Sequence, residues 1–246
     1  MSTKDFIYGI HAVRALLDRV PGRVIRLCLA EAKLKLFKDA LSTPACRHIR
    51  MEVMSSEAIA SLVGPDVVHQ GVVAQCKGAL VLQESDLQSL IAAVENPLVL
   101  VLDRVQDPHN LGACLRTANA MGACCVITPR DRSVGLTPTV EKVACGATIV
   151  TPIIAVTNLV RTLKKLQSYG LWLVGLDMHA DHLIQDVEMT GPMGIVMGGE
   201  GDGLRDLTKK TCDYLAKISM SGTVASLNVS VATAITLYEL TRQRRG

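Results

Sequence analysis

Three stretches of this 246-residue chain carry side chains whose types and spacing suit chemistry rather than packing. In Met197-Gly198-Gly199-Glu200-Gly201-Asp202-Gly203-Leu204, glycines surround one long carboxylate. Glycine lets a backbone turn through positive φ or come close to a ligand. Glu200 has no core to serve there, so it stays hydrated or meets a donor or cation brought by another segment. A tight turn at a strand end also accounts for the glycines taken alone.

The second stretch is Asp103-Arg104-Val105-Gln106-Asp107-Pro108-His109-Asn110-Leu111-Gly112-Ala113-Cys114-Leu115-Arg116. Asp followed by Pro is a good N-cap and first-turn pair, so a helix starts there. Leu111, Leu115 and Ala118 share its buried stripe, while Gly112, Arg116 and Asn119 fall on another face, which turns Arg116 towards the loop end or solvent. The third stretch, residues 218–232, is a small-residue loop running into the last helix. Ser226 or Asn228 suits the cap of that helix, and Leu227, Val231, Ile235 and Tyr238 its apolar stripe. Arg242, Arg244 and Arg245 sit favourably at its C-terminal end. A dinucleotide fold would place G-x-G-x-x-G after its first strand, where this chain has Asp-Pro-His-Asn, so ordinary NAD or FAD binding is disfavoured.

The elements that must position these residues follow from hydrophobic periodicity. From residue 98 onwards, apolar runs at 98–102, 123–127, 148–154, 171–176, 194–197 and 215–219 read as strands. Helical periods lie at 111–121, 156–167, 204–210 and 227–243. Near-continuous apolar strands alternating with helices indicate an α/β unit with a mostly parallel sheet covered on both faces. Before it, helices at 10–17, 32–41 and 56–63 alternate with strands at 24–29, 49–54 and 71–76. The expected division is 1–78 for this smaller unit, 79–96 for a linker with a short helical stretch at 84–94, and 97–246 for the unit carrying the chemistry.

Charge is uneven: residues 1–78 hold 11 Lys and Arg against 7 Asp and Glu, in a chain with 26 and 23 overall. A basic first third fits an anionic partner, with His11, Arg14, Lys33, Lys35 and Lys38 as candidate contacts, although a solvated basic face accounts for them at least as well. Aromatic residues make up 3% of the chain, so if that partner were a nucleic acid, base stacking should count for less than phosphate contacts and the partner's shape. The 8 cysteines show neither a CxxC pair nor metal spacing and read as reduced small apolar residues, with no metal expected. No secretion signal is visible at 1–9, and prolines, glycines and polar residues interrupt the long uncharged runs at 143–160 and 218–238. A cytoplasmic protein without membrane spans is expected.

The three chemistry-bearing stretches, in order and at these separations, resemble the three motifs of the SPOUT superfamily of RNA methyltransferases, in the TrmH-like branch that methylates the ribose 2′-hydroxyl. Residues 7–13 and 69–74 fit the same family, so the resemblance spans nearly the whole chain. It implies a catalytic domain closed by a deep trefoil knot, an N-terminal domain similar to L30-like RNA-binding proteins, and a homodimer whose active site combines both subunits. It also implies S-adenosylmethionine as cofactor, held through Gly198, Ile218, Met220 and Leu227. Asn110, Arg116, Glu200, Ser226 and Asn228 are the implied catalytic residues, with Arg116 holding a phosphate or developing alkoxide and Glu200 orienting it. The implied substrate is a guanosine in 23S rRNA or its large-subunit precursor. Another RNA such as tRNA, or a non-catalytic role in ribosome assembly, stays open on sequence alone.

Overall fold

The computed structural model describes residues 5–65, 67–79, 81–201, 203–224 and 226–245. Residues 1–4, Asp202 of the glycine stretch and Ala225 of the third stretch lie outside them. The chain divides into two compact units after Ala79.

The first unit runs β1 (Asp5–Tyr8), α1 (Ile10–Arg19), β2 (Val24–Leu29), α2 (Leu34–Ser42), β3 (Arg50–Val53), α3 (Ser56–Val63) and β4 (Val72–Cys76). Its sheet has the order β1-β4-β2-β3, antiparallel except between β2 and β3. Strand β1 has no counterpart in the sequence reading, because it lies directly against a helical period. Ser55 caps α3 by accepting from the Ala58 amide. The two stretches singled out at 7–13 and 69–74 meet here: the Ile10 amide donates to Gln70 Oε1 at 3.0 Å and Gly9 N to Val72 O at 3.0 Å. A side chain from the β4 approach thus satisfies an orphan donor at the start of α1. His11, Arg14, Lys35 and Lys38 are exposed on α1 and α2, and Lys33 is half-buried.

The second unit runs β5 (Val81–Leu82), α4 (Leu87–Ala92), β6 (Leu98–Asp103), α5 (Pro108–Ala120), β7 (Cys125–Pro129), α6 (Pro138–Ala144), α7 (Ala147–Val150) and β8 (Ile153–Val156). It continues with α8 (Leu159–Ser168), β9 (Trp172–Leu176), β10 (His182–Leu183), β11 (Met193–Gly198), α9 (Asp206–Lys209), β12 (Tyr214–Lys217) and α10 (Val229–Arg245). The sheet order is β10-β12-β9-β11-β6-β7-β8-β5, and each pairing is parallel. Strand β5 extends the sheet at one edge, so residues 81–82 belong structurally to the second unit.

Both faces of β6 are buried, which is why it reads as an unbroken apolar run. Leu98, Leu100 and Leu102 pack with Leu111, Leu115, Leu237 and Leu240 on one side. Val99 and Val101 pack with Leu87, Ile91, Leu163 and Leu166 on the other. The chain lays β6, β7 and β8 outwards in one direction, then crosses to β9 and inserts β11 between β9 and β6. Strand order therefore reverses at β11/β6, and in open α/β sheets ligands bind outside the carboxyl ends of strands at such a point.

Two expectations need correction. The strand expected at 148–154 is a buried helical turn, α7, followed by β8; an apolar run this short does not distinguish a buried helix from a strand by periodicity. The stripe expected on α10 is out of phase. Its buried face is Val229, Thr233, Thr236, Leu237 and Leu240, while Val231, Ile235 and Tyr238 are exposed. The threonines can be buried because their hydroxyls donate back to the helix: Thr233 to Val229 O at 2.7 Å and Thr236 to Ala232 O at 2.9 Å. Among the described residues no helix is long and apolar enough to cross a membrane.

Candidate functional site

Three loops converge at the carboxyl ends of β6, β11 and β12. Asp107 accepts from the His109 amide at 2.9 Å and Pro108 fills the first turn, so α5 starts with Asn110 fixed near its N-terminus. Asn110 is almost fully buried. Its Nδ2 donates to Glu200 Oε1 at 2.6 Å, and its Oδ1 accepts from Asn228 Nδ2 at 3.0 Å. Asn228 Oδ1 in turn accepts from Ser230 N at 2.8 Å and Ser230 Oγ at 2.7 Å, which caps α10.

This relay fixes its own polarity. The cap needs an oxygen from Asn228, which leaves its amide nitrogen to face Asn110. Asn110 must then present oxygen to Asn228 and nitrogen to Glu200, whose carboxylate only accepts. One residue from each of the three stretches is thereby locked into a single arrangement, and Glu200 keeps an exposed side.

The glycine loop is held from beyond its far end. Asp103, fully buried at the end of β6, pairs with Arg205 at 2.8 Å and accepts from Thr208 Oγ1 at 2.8 Å. Asp177, after β9, pairs with Lys209. Burial pushes the Asp177 carboxyl up, but the hydrogen bonds from Lys209 and the His179 amide, together with the charges of both residues, outweigh it and leave the carboxyl below its usual range. The turn carrying α9 is thus pinned to both strands that flank β11. Within the loop, a Cβ on Gly198 would sit 2.1 Å from the carbonyl carbon of Gly203, and one on Gly199 would sit 2.3 Å from the Arg104 carbonyl oxygen. These two glycines serve backbone against backbone, while Gly201 and Gly203 supply the positive φ of the turn.

Arg116 lies elsewhere. It is exposed on α5 and donates to Cys145 Sγ at 3.5 Å, so Glu200 does not orient it within one chain. The face it shares packs on the α6–α7 layer: a Cβ at Gly112 would lie 2.7 Å from Val143, and Asn119 donates to Thr151 at 2.9 Å. Ser226 is exposed and stands outside the relay, and Leu227 is half-buried. Cys114, beneath the site, has its thiol pushed up to about 11 by burial, with the Glu200 charge adding to the effect and a hydrogen bond with Thr233 opposing it. It is a neutral thiol, unsuited to nucleophilic work. Asp103 and Ser230 lie within the chemistry-bearing stretches, but neither they nor Arg205 and Thr208 have a role that the sequence alone assigns. Asp103 closes an apolar strand just before a glycine-loop partner, and a lone carboxylate there was the available signal.

Of the residues expected to hold S-adenosylmethionine, those that follow β12 have the chemistry such a ligand needs. Ile218 is half-buried against the main core, Met220 is exposed beyond it, and both follow β12. Residues 219–224 make no backbone hydrogen bond to another described residue. Half-buried apolar side chains beside such a loop suit a nucleoside with an aliphatic tail. No cluster of described residues could hold a metal ion.

Comparison with known proteins places these features in context. The model of the SpoU rRNA Methylase family matches residues 97–238, and that of the RNA 2′-O ribose methyltransferase substrate-binding domain matches residues 6–80. The chain is similar to the 23S rRNA (guanosine-2′-O-)-methyltransferase RlmB of Pseudomonas putida, 49% identical over 100% of this chain and 99% of the relative. It is also 49% identical to the RlmB of Coxiella burnetii, over 100% of this chain and 98% of the relative. Among solved structures, the SpoU methyltransferase AviRb from Streptomyces viridochromogenes superposes with a TM-score of 0.68 at 24% identity, covering 98% of this chain and 90% of that one, a likeness of fold.

Proposed function

The chain belongs to the SpoU rRNA methylase family, and from that premise we propose how its loops divide the work of methyl transfer to RNA. The enzyme moves a methyl group from S-adenosylmethionine to the ribose 2′-hydroxyl of a guanosine in 23S rRNA. The observation that carries this reading is the relay from Asn228 through Asn110 to Glu200, which joins all three motifs in one hydrogen-bonded unit.

The bound cofactor supplies an electrophilic methyl on a sulfonium sulfur. Backbone groups of residues 218–224 and the Gly198 turn would hold it, with Ile218, Met220 and Leu227 as the apolar residues of that site. The protein's task is then alignment and removal of one proton. Asn110 fixes one oxygen of Glu200, and the other accepts the ribose hydroxyl. With the cofactor in place, Glu200 would take the proton that the ribose 2′-hydroxyl gives up on methylation, or pass it on to water. Ser226 lies on the open side of the same loop, where it hydrogen-bonds the ribose.

Arg116 stays a guanidinium and holds a phosphate or the developing alkoxide rather than acting as a base. It serves across a homodimer, which brings one subunit's Arg116 to the partner's loops. The exposed Val231, Ile235 and Tyr238 stripe on α10 supports that association. The close backbone approaches at Gly198 and Gly199 support a trefoil knot, an exception to the usual absence of threaded chains. The first unit binds the RNA through its basic helices, and the enzyme works in the cytoplasm.

The test is incubation of the protein with labelled S-adenosylmethionine and unmodified 23S rRNA, then nuclease digestion and mass spectrometry of the nucleosides. One site of 2′-O-methylguanosine is the expected product. Cofactor binding with no methylated ribose would sink the reading, and methylation confined to tRNA would move its substrate.

A further inference from the structure

A second concave surface lies in the catalytic unit, away from the relay, at the carboxyl ends of β6, β7 and β8. It encloses about 750 Å³, and the charged residues that line it are Arg104, Asp131, Arg132, Arg161, Lys164 and Arg205. Gathering these cations costs self-repulsion, and the structure neutralises only part of it. Arg205 is paired from behind by buried Asp103, and Arg161 by Glu84. Arg104, Arg132 and Lys164 make no ion pair with a described residue.

Backbone conformation singles out the same two arginines. Arg104 and Arg132 hold φ of 66° and 57°, a region that side-chain-bearing residues rarely occupy. Such strain persists only where surrounding structure enforces it. Here it does: Val134 N donates to Val105 O at 3.0 Å, and Gln106 Nε2 donates to Arg132 O at 3.4 Å, tying the β6 and β7 loops together. Gly199 abuts the Arg104 carbonyl, so this wall of the cavity is continuous with the turn that carries Glu200. At the opposite wall α8 begins, capped by Asn158, and its first amides add positive potential.

We propose that this cavity binds the phosphate backbone of the substrate RNA strand beside the methylated nucleotide, an inference that rests on the RNA-methyltransferase reading above. No aromatic residue lines it among the described ones, so it offers a base nothing to stack on. Its unpaired cations come from three separate segments, the β6 loop, the β7 loop and α8, as a strand passing over the sheet edge requires. The cavity thus fixes register and distance, and the relay acts on the ribose delivered next to it.

The test uses the full-length protein and unmodified 23S rRNA transcript. Arg104 and Arg132 are replaced by Asn, which tolerates left-handed backbone, and Lys164 by Gln, in one triple variant. Single-strand contacts carry a salt slope of about 0.7 each, so losing three lowers the slope of log affinity against log salt by roughly 2. Affinity for the transcript at low salt falls by at least about 10-fold and the KM for RNA rises in step, while S-adenosylmethionine binds the variant as it binds the parent. Lys164→Glu, a single exposed change, reads the same effect at smaller size should the triple variant fold poorly. An unchanged salt slope in both variants overturns the proposal, and so does a parallel loss of S-adenosylmethionine affinity, which would make the cavity part of the cofactor site. A parent protein that binds RNA with the full slope but methylates none would instead sink the enzymatic reading.

Discussion

Asn228 has two jobs in the structure, and two substitutions separate them. Its Oδ1 caps α10 through Ser230, and its Nδ2 holds Asn110 in the orientation that reaches Glu200. Asn228→Ala removes both. Loss of the cap costs about 1 kcal/mol, which lowers the melting temperature by roughly 2–4 °C in a chain of this size. Asn228→Asp keeps an acceptor for Ser230 and adds a negative charge at a helix N-terminus, worth about 0.3–1 kcal/mol, so the melting temperature should hold or rise slightly. The aspartate cannot donate to Asn110, however. It sets a carboxylate oxygen against Asn110 Oδ1, and Asn110 then turns or loses its hold on Glu200. Two site hydrogen bonds at about 1–1.5 kcal/mol each amount to ~2–3 kcal/mol, or roughly 30- to 150-fold in rate. Both variants should therefore lose turnover by this factor while only the alanine loses stability. The assay is incorporation of label from S-adenosylmethionine into unmodified 23S rRNA, beside thermal melting of the same preparations. An aspartate variant with nearly the parent's turnover would refute the relay and return Asn228 to simple capping.

Asp103→Asn leaves a half-buried Arg205 without its counter-charge; with discount for Arg205's exposure, the cost is about 2 kcal/mol, seen as a fall of roughly 4–8 °C in melting temperature and weaker S-adenosylmethionine binding by calorimetry. Gly198→Ala forces Gly203 and Leu204 away from β11, an overpacking cost of about 1–3 kcal/mol, and should weaken cofactor binding measurably; unchanged binding would show that the close approach is dispensable. Arg116→Lys removes the planar fork and should lower kcat while melting stays within about 1 °C; retention of most activity would rule out bidentate anion binding. Lys165, hydrogen-bonded to Glu84, holds that carboxyl below its ordinary value, so the contact stabilises above the unfolded pKa and is lost as pH falls through the folded one. Glu84→Gln should accordingly flatten the acid limb of a plot of melting temperature against pH below about 4.5, and an identical acid limb would dismiss the contribution.

The parallel α/β sheet was legible because β6, β7 and β11 are buried on both faces and cannot alternate. The helix at α6 has little apolar periodicity to mark it, although Thr137 and Pro138 form a capped start there, since Val140 and Ala144 are its only fully buried side chains. Phase was lost on α10 for a related reason. A buried threonine whose hydroxyl is spent on its own helix behaves as a small apolar residue, but in sequence it counts as polar. The exposed Val231, Ile235 and Tyr238 then captured the stripe, and what looked like core is surface in the single chain.

The site shows a subtler gap between pattern and cause. From sequence the glycines at 198 and 199 fit either room for a ligand or a tight turn, and the nearest obstacles to a Cβ are Gly203 and Arg104, the protein's own backbone. The loop is glycine-rich first because two chain segments cross there in contact. Ligand geometry follows from that crossing, since it sets the path of residues 198–201 and so where Glu200 can project. Asp103 belongs to the same logic. It lies opposite Gly198 in the β6–β11 register and anchors Arg205 past the loop, so strand pairing, buried charge and glycine contact all constrain one turn. None of these contacts is local in sequence; Asp103 and Arg205 are separated by 102 positions. Periodicity reports which face of an element is buried. Only the strand order reveals that β11 inserts beside β6, and it is that insertion which brings Asn110 and Glu200 within a hydrogen bond of each other.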